Sequence, residues 1–355
     1  MKKRILSLLL VMLLSLTLFA CGEKAASTTN EDAKTPDKKT SETSEKDMET
    51  EIVEKETSYN FERTFEVTDT TVTFEDGTGE VITLNKNPKK VVGFVNSYLG
   101  LWDLAGGDII GRIDSEKNLP EAFKAAEVVG SMSTPNIEKL LSVEPDLVII
   151  GSKYSKQMDM VDVLNANEIP YFAIEYTGFA DYKYNMAVMC ALTGREDLYT
   201  ENVLAIENEI SDIVSKIEEK EKPSVLLLFN TTKKTSVRLP NSMVGEMLET
   251  LNTNNVAENA QVSNESTTIF SLEKIVETDP DFIFYQTMGN HDKVIKRMED
   301  ELLTHPVWKD LKAVKNGNVF ELPKDLYTYK PNKRYGEAYL KLAQMLYPDV
   351  FPITE

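Results

Sequence analysis

The chain has 355 residues and a formal net charge of −19, with 39 Lys and Arg against 58 Asp and Glu. This balance excludes a general nucleic-acid binder, which needs a basic face to release counterions from phosphates. With two cysteines and two histidines, the chain is neither a disulfide-rich scaffold nor a zinc hydrolase of the His-Glu-x-x-His type. Hydrophobic residues make up 41% of the sequence, which is enough for the cores of about two domains.

The N-terminus has the features of a secretory signal. Basic residues 2–4 precede an apolar run that is shorter than the roughly 20 residues of a permanent membrane span. The segment Leu18-Phe19-Ala20-Cys21-Gly22 resembles the lipobox of bacterial lipoproteins, in which cleavage before the cysteine leaves a lipidated sulfur. We expect residues 1–20 to be a signal peptide and Cys21 to be lipidated, although an ordinary signal with a chance cysteine is the alternative. Cys190 would then be a small buried hydrophobe.

Residues 21–58 differ sharply in composition from the rest of the chain. They are rich in Thr, Ser, Glu, Lys and Asp and contain almost no large apolar side chains. Such a segment buries too little apolar surface to offset the entropy of ordering, so we expect a disordered tether. A helical stalk over 42–56 is the alternative, but it lacks an apolar stripe.

The folded body is expected to begin near Tyr59 with a hairpin. Residues 72–75 and 80–84 flank Asp76-Gly77-Thr78-Gly79, whose residue types permit positive φ angles. After the hairpin, short continuous apolar runs alternate with helical patterns, which is typical of parallel sheets covered on both faces. The predicted buried strands are 91–95, 147–150, 171–174, 225–229 and 282–285.

An internal repeat divides this body. Asn136-Ile137-Glu138-Lys139-Leu140-Leu141 leads to Glu144-Pro145-Asp146-Leu147, and Ser271-Leu272-Glu273-Lys274-Ile275-Val276 leads to Asp279-Pro280-Asp281-Phe282 with the same spacing. Two copies this far apart predict two similar α/β lobes rather than a solenoid, whose repeats are about 20–50 residues long. We place the lobes at 59–196 and 223–355. The apolar stripe between them predicts one bridging helix over 197–222.

At this point the chain resembles a known family, the substrate-binding lipoproteins of ABC importers for iron-siderophores, haem and cobalamin. The lipobox, the paired repeat segments and Trp308-Lys309-Asp310-Leu311-Lys312-Ala313-Val314-Lys315-Asn316-Gly317 carry the resemblance. It implies the class III periplasmic-binding-protein fold: α/β, with two Rossmann-like lobes joined by a single long α-helix. It also implies a ligand between the lobes and a protein held at the outer face of the cytoplasmic membrane.

Glu138 and Glu273 occupy equivalent positions in the two repeat copies. An acidic residue in the first turn of a helix stabilises the helix dipole by about 0.3–1 kcal/mol, which alone could explain both. In the family, however, the glutamate at this position of each lobe meets arginines of the permease. The resemblance therefore implies that Glu138 and Glu273 dock the protein, expected to be a monomer, on an ABC permease that works with an ATPase.

Open α/β sheets bind ligands beyond the carboxyl ends of their strands. This rule, applied to the predicted strands, selects residues on both lobes: Asn96, Tyr98, Lys153, Tyr154, Tyr176, Thr231 and Met288. Near the C-terminus, aromatic and cationic side chains crowd one short segment: Tyr327, Tyr329, Lys330, Arg334 and Tyr335. Together with Arg238, they suit an aromatic or anionic chelate, and we expect a ferric siderophore as the ligand with no resident cofactor.

Met132 and His291 support an alternative ligand. Some haem binders of this family hold the iron between a Met of the first lobe and a His of the second, and these two residues lie near the corresponding loops. A corrinoid is a further alternative. An enzyme or a surface adhesin is the rival class, but the sequence has neither a Gly-x-Ser-x-Gly nucleophile elbow nor a nucleotide-binding P-loop.

Overall fold

The computed structural model describes residues 61–258, 267–268 and 272–353, with the backbone alone at 267, 268 and 272. The predicted signal peptide, Cys21 and the predicted tether lie outside the described residues. The strands are β1 Phe65–Val67, β2 Thr71–Glu75, β3 Val81–Asn85, β4 Val91–Gly93, β5 Gly111–Arg112, β6 Glu127–Val128, β7 Leu147–Gly151, β8 Tyr171–Ile174, β9 Ser224–Asn230, β10 Thr235–Arg238, β11 Asn254–Asn255, β12 Thr267–Thr268, β13 Phe282–Thr287 and β14 Val319–Glu321. The helices are α1 Asn96–Leu104, α2 Ile137–Ser142, α3 Ser155–Met158, α4 Val161–Ala166, α5 Phe179–Thr193, α6 Glu196–Tyr199, α7 Ala205–Ser215, α8 Met243–Thr250, α9 Leu272–Thr278, α10 His291–Met298, α11 Lys312–Lys315, α12 Lys324–Tyr327 and α13 Tyr335–Leu346.

Three sheets organise the described chain. The predicted hairpin is confirmed as β2 and β3, and β1 adds a third antiparallel strand. The first lobe has a parallel sheet of order β6-β5-β4-β7-β8, and the second lobe has a sheet of order β12-β10-β9-β13-β14 with β11 beside β9. All five predicted buried strands are present. The prediction of parallel pairing fails at β10, which runs antiparallel to both β9 and β12.

The repeat has a clear structural counterpart. Asp146 and Asp281 each begin a central strand and bind the start of the neighbouring strand in the same lobe. The Asp146 carboxylate accepts the backbone N–H groups of Lys89 (2.7 Å) and Lys90 (2.8 Å). The Asp281 carboxylate accepts the backbone N–H of Ser224 (2.8 Å) and its hydroxyl (2.7 Å). The Pro-Asp segment therefore registers the strands of both lobes in the same way.

The bridging helix is shorter than predicted and not uniform. It consists of α6, a π-helical segment Thr200–Leu204 and α7, and it ends at Ser215 rather than at residue 222. The charged run that follows residue 217 has no apolar stripe. A longer helix would therefore bury no further apolar side chains, and packing would not stabilise it. The apolar stripe itself is buried as expected, with Val203, Ile206 and Ile210 at most 7% exposed.

A shared core fixes the lobes to each other. One apolar cluster extends from the first-lobe sheet through α5, α7 and α13 to the second-lobe sheet. Helix α5 is buried on nearly every side, which includes Cys190, and it ends at Gly194 in the left-handed region (φ 70°). The prediction of a buried Cys190 is therefore confirmed. None of the helices in the described part of the chain is long and apolar enough to cross a membrane.

Candidate ligand-binding site

A cavity of about 180 Å³ lies between the lobes. The first lobe contributes two residues that follow β8, and the second lobe contributes the end of β10, the start of α8, one residue of β13 and the segment after α12. The lining residues are Tyr176, Thr177, Arg238, Asn241, Ser242, Met243, Val244, Gln286, Tyr327, Thr328 and Lys330. Four of them, Tyr176, Arg238, Tyr327 and Lys330, were selected from the sequence.

Tyr176 forms the first-lobe wall of the cavity. Its hydroxyl donates to the side-chain oxygen of Asn332 (3.1 Å), which fixes the ring. Burial raises the pKa of Tyr176 well above its ordinary value of 10.0, so the phenol is neutral. The Lys330 ammonium lies 4.6 Å from the ring centroid, a cation–π arrangement that supports a positive charge at this wall.

Lys330 is half-buried, and the groups that its ammonium contacts directly are neutral. Its Nζ donates to the carbonyl oxygen of Thr177 (3.4 Å) and lies 3.9 Å from the sulfur of Met243. Burial lowers the pKa of Lys330 to about 8, and the nearby Arg238 lowers it as well, while Asp181 and Glu246 act in the opposite direction. The ammonium is therefore mostly protonated at neutral pH, at a cost in desolvation that an anion would relieve.

Arg238 is the second cation of the cavity, placed by the last position of β10. Its guanidinium carbon lies 4.0 Å from the ring centroid of Phe229, so the group stacks on an aromatic face. Burial lowers the pKa of Arg238, but a guanidinium stays charged at any physiological pH. Two cations thus face one cavity in a strongly acidic protein.

The start of α8 closes one side of the cavity. Ser242 is its N-cap, and the Ser242 hydroxyl oxygen accepts the N–H of Gly245 (3.2 Å). The amides of Met243 and Val244, the first two of the helix, have no partner inside it and carry the positive end of its dipole. This helix start adds further positive potential to a cavity that already has two cations.

The opposite side of the cavity is built on β13 and the segment after α12. The buried Gln286 donates its amide N–H to the backbone oxygen of Tyr327. Tyr327 is itself 1% exposed, and its hydroxyl donates to the carbonyl of Ala338 (2.8 Å). The hydroxyl oxygen of Thr328 is buried and has no hydrogen-bond partner among the residues that the structure describes.

The lobes are also tied together beside the cavity. The Asn332 side chain, which carries the Tyr176 bond, donates its amide N–H to the backbone oxygen of Ser97 (2.9 Å). Glu246 of α8 accepts the backbone N–H of Phe179 (3.3 Å) at the start of α5. Gly178 allows this approach, because a Cβ at that position would collide with the Glu246 carboxylate.

Three predicted ligand residues lie in the protein interior instead of the cavity wall. Tyr335 is fully buried, with its ring centroid 4.9 Å from that of Phe179. Tyr98 is 6% exposed and packs behind Tyr176. Asn96 is buried and donates to the backbone oxygens of residues 115 and 117, so it holds a loop. These side chains support the site from behind.

Other predicted residues lie on surface loops at the carboxyl ends of strands, outside the cavity lining. Met132, Tyr154 and Met288 are about two-fifths exposed, at 41%, 37% and 39%. Lys153 forms an ion pair with Glu175 (3.2 Å). The Thr231 hydroxyl holds the β9–β10 turn, and the Tyr329 N–H donates to the carbonyl of residue 324 (2.8 Å).

Arg334 and His291 are engaged with carboxylates. The Arg334 guanidinium pairs with Asp325 (2.6 Å) and Glu337 (2.6 Å), which neutralise it, and Arg334 is not among the residues that line the cavity. The Nε2 atom of His291 lies 3.0 Å from a carboxylate oxygen of Glu321. Neither side chain offers its charge or lone pair to the cavity in this structure.

Weak sequence signals exist for several cavity residues that lie outside the predicted set. The start of α8 has a helix-start signature, Pro240-Asn241-Ser242, which was not connected with the cavity. Thr177 follows a predicted strand by the same rule that selected Tyr176. No pattern in the sequence singles out Asn332, because its role comes from contacts with a residue of the other lobe.

Glu138 and Glu273 are both exposed, and each lies in the first turn of its helix, α2 or α9. In the first lobe, the side chain of Asn136 caps α2 by accepting the N–H of Lys139 (3.0 Å). The two acids therefore occupy matching places on the two lobes, as the repeat predicts. A groove lined by residues of the 128–139 segment and by Asp114 adjoins Glu138.

Comparison with known proteins agrees with this architecture. The iron-uptake system-binding protein of Bacillus subtilis is 26% identical over 324 residues, which cover 90% of each chain. A second protein of that species, the uncharacterized ABC transporter substrate-binding lipoprotein YvrC, is 26% identical over 79% of this chain and 87% of its own. Among solved structures, Staphylococcus aureus IsdE complexed with heme superposes with a TM-score of 0.63 at 20% identity, over 73% of this chain and 98% of that one. The sequence profile described as periplasmic binding protein matches residues 97–326, and the chain therefore belongs to the periplasmic binding protein family.

Proposed function

We propose that this protein is the extracytoplasmic substrate-binding lipoprotein of an ABC importer, and that it captures an anionic ferric chelate, such as a ferric siderophore, between its lobes. The observation that carries the proposal is the pair of cations, Arg238 and Lys330, on one inter-lobe cavity of a chain with a formal net charge of −19. Charge-assisted hydrogen bonds from an ammonium or a guanidinium to an anionic oxygen are stronger than those between neutral groups, so this pair of cations fits an anionic ligand.

Delivery requires a membrane partner. We propose that Glu138 and Glu273 meet basic side chains of a permease, one on each lobe, and that a partner ATPase supplies the energy of transport. The exposure of both acids and their matching places on α2 and α9 support this arrangement. A lipid on Cys21 would keep the protein at the outer face of the cytoplasmic membrane, within reach of that permease.

The alternative haem and corrinoid ligands have less support. Axial ligation of haem by Met132 and His291 needs a free ring nitrogen of His291, and in this structure both lie near carboxylates, Nε2 at 3.0 Å from Glu321 and Nδ1 at 3.7 Å from Asp292. The two cations complement the negative charge of an anionic chelate more directly than they complement haem or a corrinoid.

The test is an absorption spectrum of the protein purified from its native host, followed by titration of the apoprotein with ferric chelates and with haemin. We expect the charge-transfer band of a ferric chelate in the spectrum and saturable quenching of intrinsic fluorescence by at least one chelate. A Soret band that shifts in His291→Ala, with no chelate binding, would overturn the proposal in favour of haem.

A further inference from the structure

Residues 61–65, which lead into β1, pack on α5, and we call them the N-terminal strap. The rings of Phe61 and Phe65 lie edge-to-face against the ring of Tyr184 in α5, with centroid distances of 5.1 Å and 6.4 Å. The Tyr184 hydroxyl donates to the carbonyl oxygen of Thr64 (2.9 Å). These contacts attach the N-terminal strap to the first lobe.

Arg63 extends from the N-terminal strap to the start of α5. Its guanidinium carbon lies 4.9 Å from the ring centroid of Tyr184, and its Nη2 donates to the Asp181 carboxylate (2.7 Å). The side chain of Asp181 is 7% exposed and that of Arg63 is 36% exposed, so water reaches the carboxylate poorly. The N-terminal strap therefore supplies a positive charge to a buried carboxylate, in a charge-assisted hydrogen bond.

The second carboxylate oxygen of Asp181 connects this ion pair to the inter-lobe cavity. It accepts the backbone N–H (2.7 Å) and the hydroxyl (2.6 Å) of Thr177, a cavity-lining residue whose carbonyl oxygen accepts from Lys330 (3.4 Å). An acid in the first turn of α5 stabilises the start of that helix, which by itself would explain the bonds between Asp181 and Thr177. It does not explain Arg63, which comes from outside the helix and binds the other oxygen.

The charge of Asp181 also acts on the Lys330 ammonium. The titratable groups around that ammonium are Tyr176 after β8, Asp181 of α5, Arg238 of β10 and Glu246 of α8. Burial and Arg238 lower the pKa of Lys330, whereas Asp181 and Glu246 raise it. Because the Arg63 guanidinium offsets the charge of Asp181, this carboxylate attracts the ammonium less than it would without that partner. The ion pair therefore leaves the Lys330 charge more available to a ligand.

Resting on the proposed function, we infer that Arg63 is a positioning residue of the ligand site and acts on it through Asp181. By holding the Asp181 carboxylate and offsetting its charge, Arg63 keeps Thr177 in the cavity wall and directs the charge of Lys330 to the ligand. Arg63 itself is not among the residues that line the cavity. The segment that follows the predicted tether in the sequence therefore takes part in ligand binding from outside the cavity.

The first measurement is the pKa of the Lys330 ammonium, followed by NMR in the full chain with isotope-labelled lysine. The signal that is absent from Lys330→Met identifies the residue. Arg63→Gln removes a positive charge and should raise this pKa, whereas Asp181→Asn removes a negative charge and should lower it. A purely structural N-terminal strap would give the same direction in both variants, because both break the same ion pair.

The second measurement is affinity, by calorimetric titration of the full chain with ferric citrate and with ferric enterobactin, two anionic chelates. For the chelate that the wild type binds, Arg63→Gln should weaken binding by about fivefold or more. Arg63→Lys keeps the charge and should restore most of the affinity. Arg195→Gln, which breaks a surface ion pair with Asp197, is the matched control and should change neither the affinity nor the pKa of Lys330.

Each other outcome has a definite meaning. A Lys330 pKa that moves in one direction in both variants, or in neither, would overturn the inference and leave the proposed function in place. Unchanged chelate affinity in folded Arg63→Gln would do the same. If the wild type binds neither chelate, the proposed function is wrong for these ligands, and the titration of Lys330 alone decides whether Arg63 acts on the cavity. If one variant does not fold, the direction of the pKa change in the other decides.

Discussion

Replacing Lys330 with methionine removes a charge that the fold keeps between its lobes. Methionine has a similar length and no charge, so the variant keeps the packing against Tyr176 and Met243 and loses the desolvation cost. We expect Lys330→Met to unfold at higher urea concentration than the wild type at pH 7, and at the same time to bind an anionic chelate poorly.

The magnitude follows from the titration of this group. Burial lowers the pKa of Lys330 from 10.5 to about 8, and one pKa unit corresponds to about 1.4 kcal/mol. Holding the charge in the fold at pH 7 therefore costs up to about 3 kcal/mol. Because the folded-state pKa lies below the unfolded one, the unfolded chain binds more protons between pH 8 and 10.5, and wild-type stability rises with pH across that window.

The assay compares urea unfolding of the two proteins at pH 7 and at pH 9.5. The advantage of the variant should fall from about 3 kcal/mol to roughly half of that. At pH 9.5 the wild-type lysine is almost entirely neutral in the fold, and the remaining cost is that of deprotonating a group whose unfolded-state pKa is 10.5. Lys296→Met serves as the control, because that side chain is 77% exposed. If Lys330→Met were no more stable than the wild type at either pH, Lys330 would not be a desolvated cation.

Three further predictions concern the anchor, the docking surface and the repeat. Cys21→Ser should move the protein from the membrane fraction to the soluble fraction, and unchanged fractionation would contradict lipidation. Glu138→Arg combined with Glu273→Arg should abolish uptake by cells while chelate affinity stays within a few-fold; a large loss of affinity would place these acids in the ligand site. Asp281→Ala leaves the N–H of Ser224 without its acceptor and should lower the free energy of unfolding by about 1–3 kcal/mol. Urea denaturation measures this change, and a smaller loss would mean that water replaces the carboxylate.

The elements that were predicted correctly are those whose residues are buried on both faces. Strands such as β7, β8 and β13 appear in the sequence as uninterrupted apolar runs, and the repeat predicts that β7 and β13 are equivalent. Strand β10 has no such run, and its direction depends on pairing with β9, so the sequence does not predict that it is antiparallel. The π-helical segment in the bridge likewise has no periodic signal.

The candidate site could be predicted only in part for a similar reason. The position of Tyr176 after a strand predicts it as a ligand residue, and the positive charge of Lys330 and Arg238 predicts them too; all three line the cavity. Composition treated Arg334 as an equivalent cation, but its role depends on Asp325 and Glu337, which neutralise it. Whether a charged side chain serves a ligand or an ion pair is decided by its neighbours in space.

The contacts of Asn332 with Ser97 and Tyr176, and of Glu246 with the start of α5, join the lobes directly. A binding protein whose lobes are already in contact uses little of its binding free energy to close them, which favours high affinity. The same preorganisation opposes release of the ligand, because a ligand held in this way leaves only when work is done to move the lobes apart. A permease that binds one acid on each lobe would contact both lobes at once, and moving the lobes apart by a few ångströms would break the Asn332 hydrogen bonds.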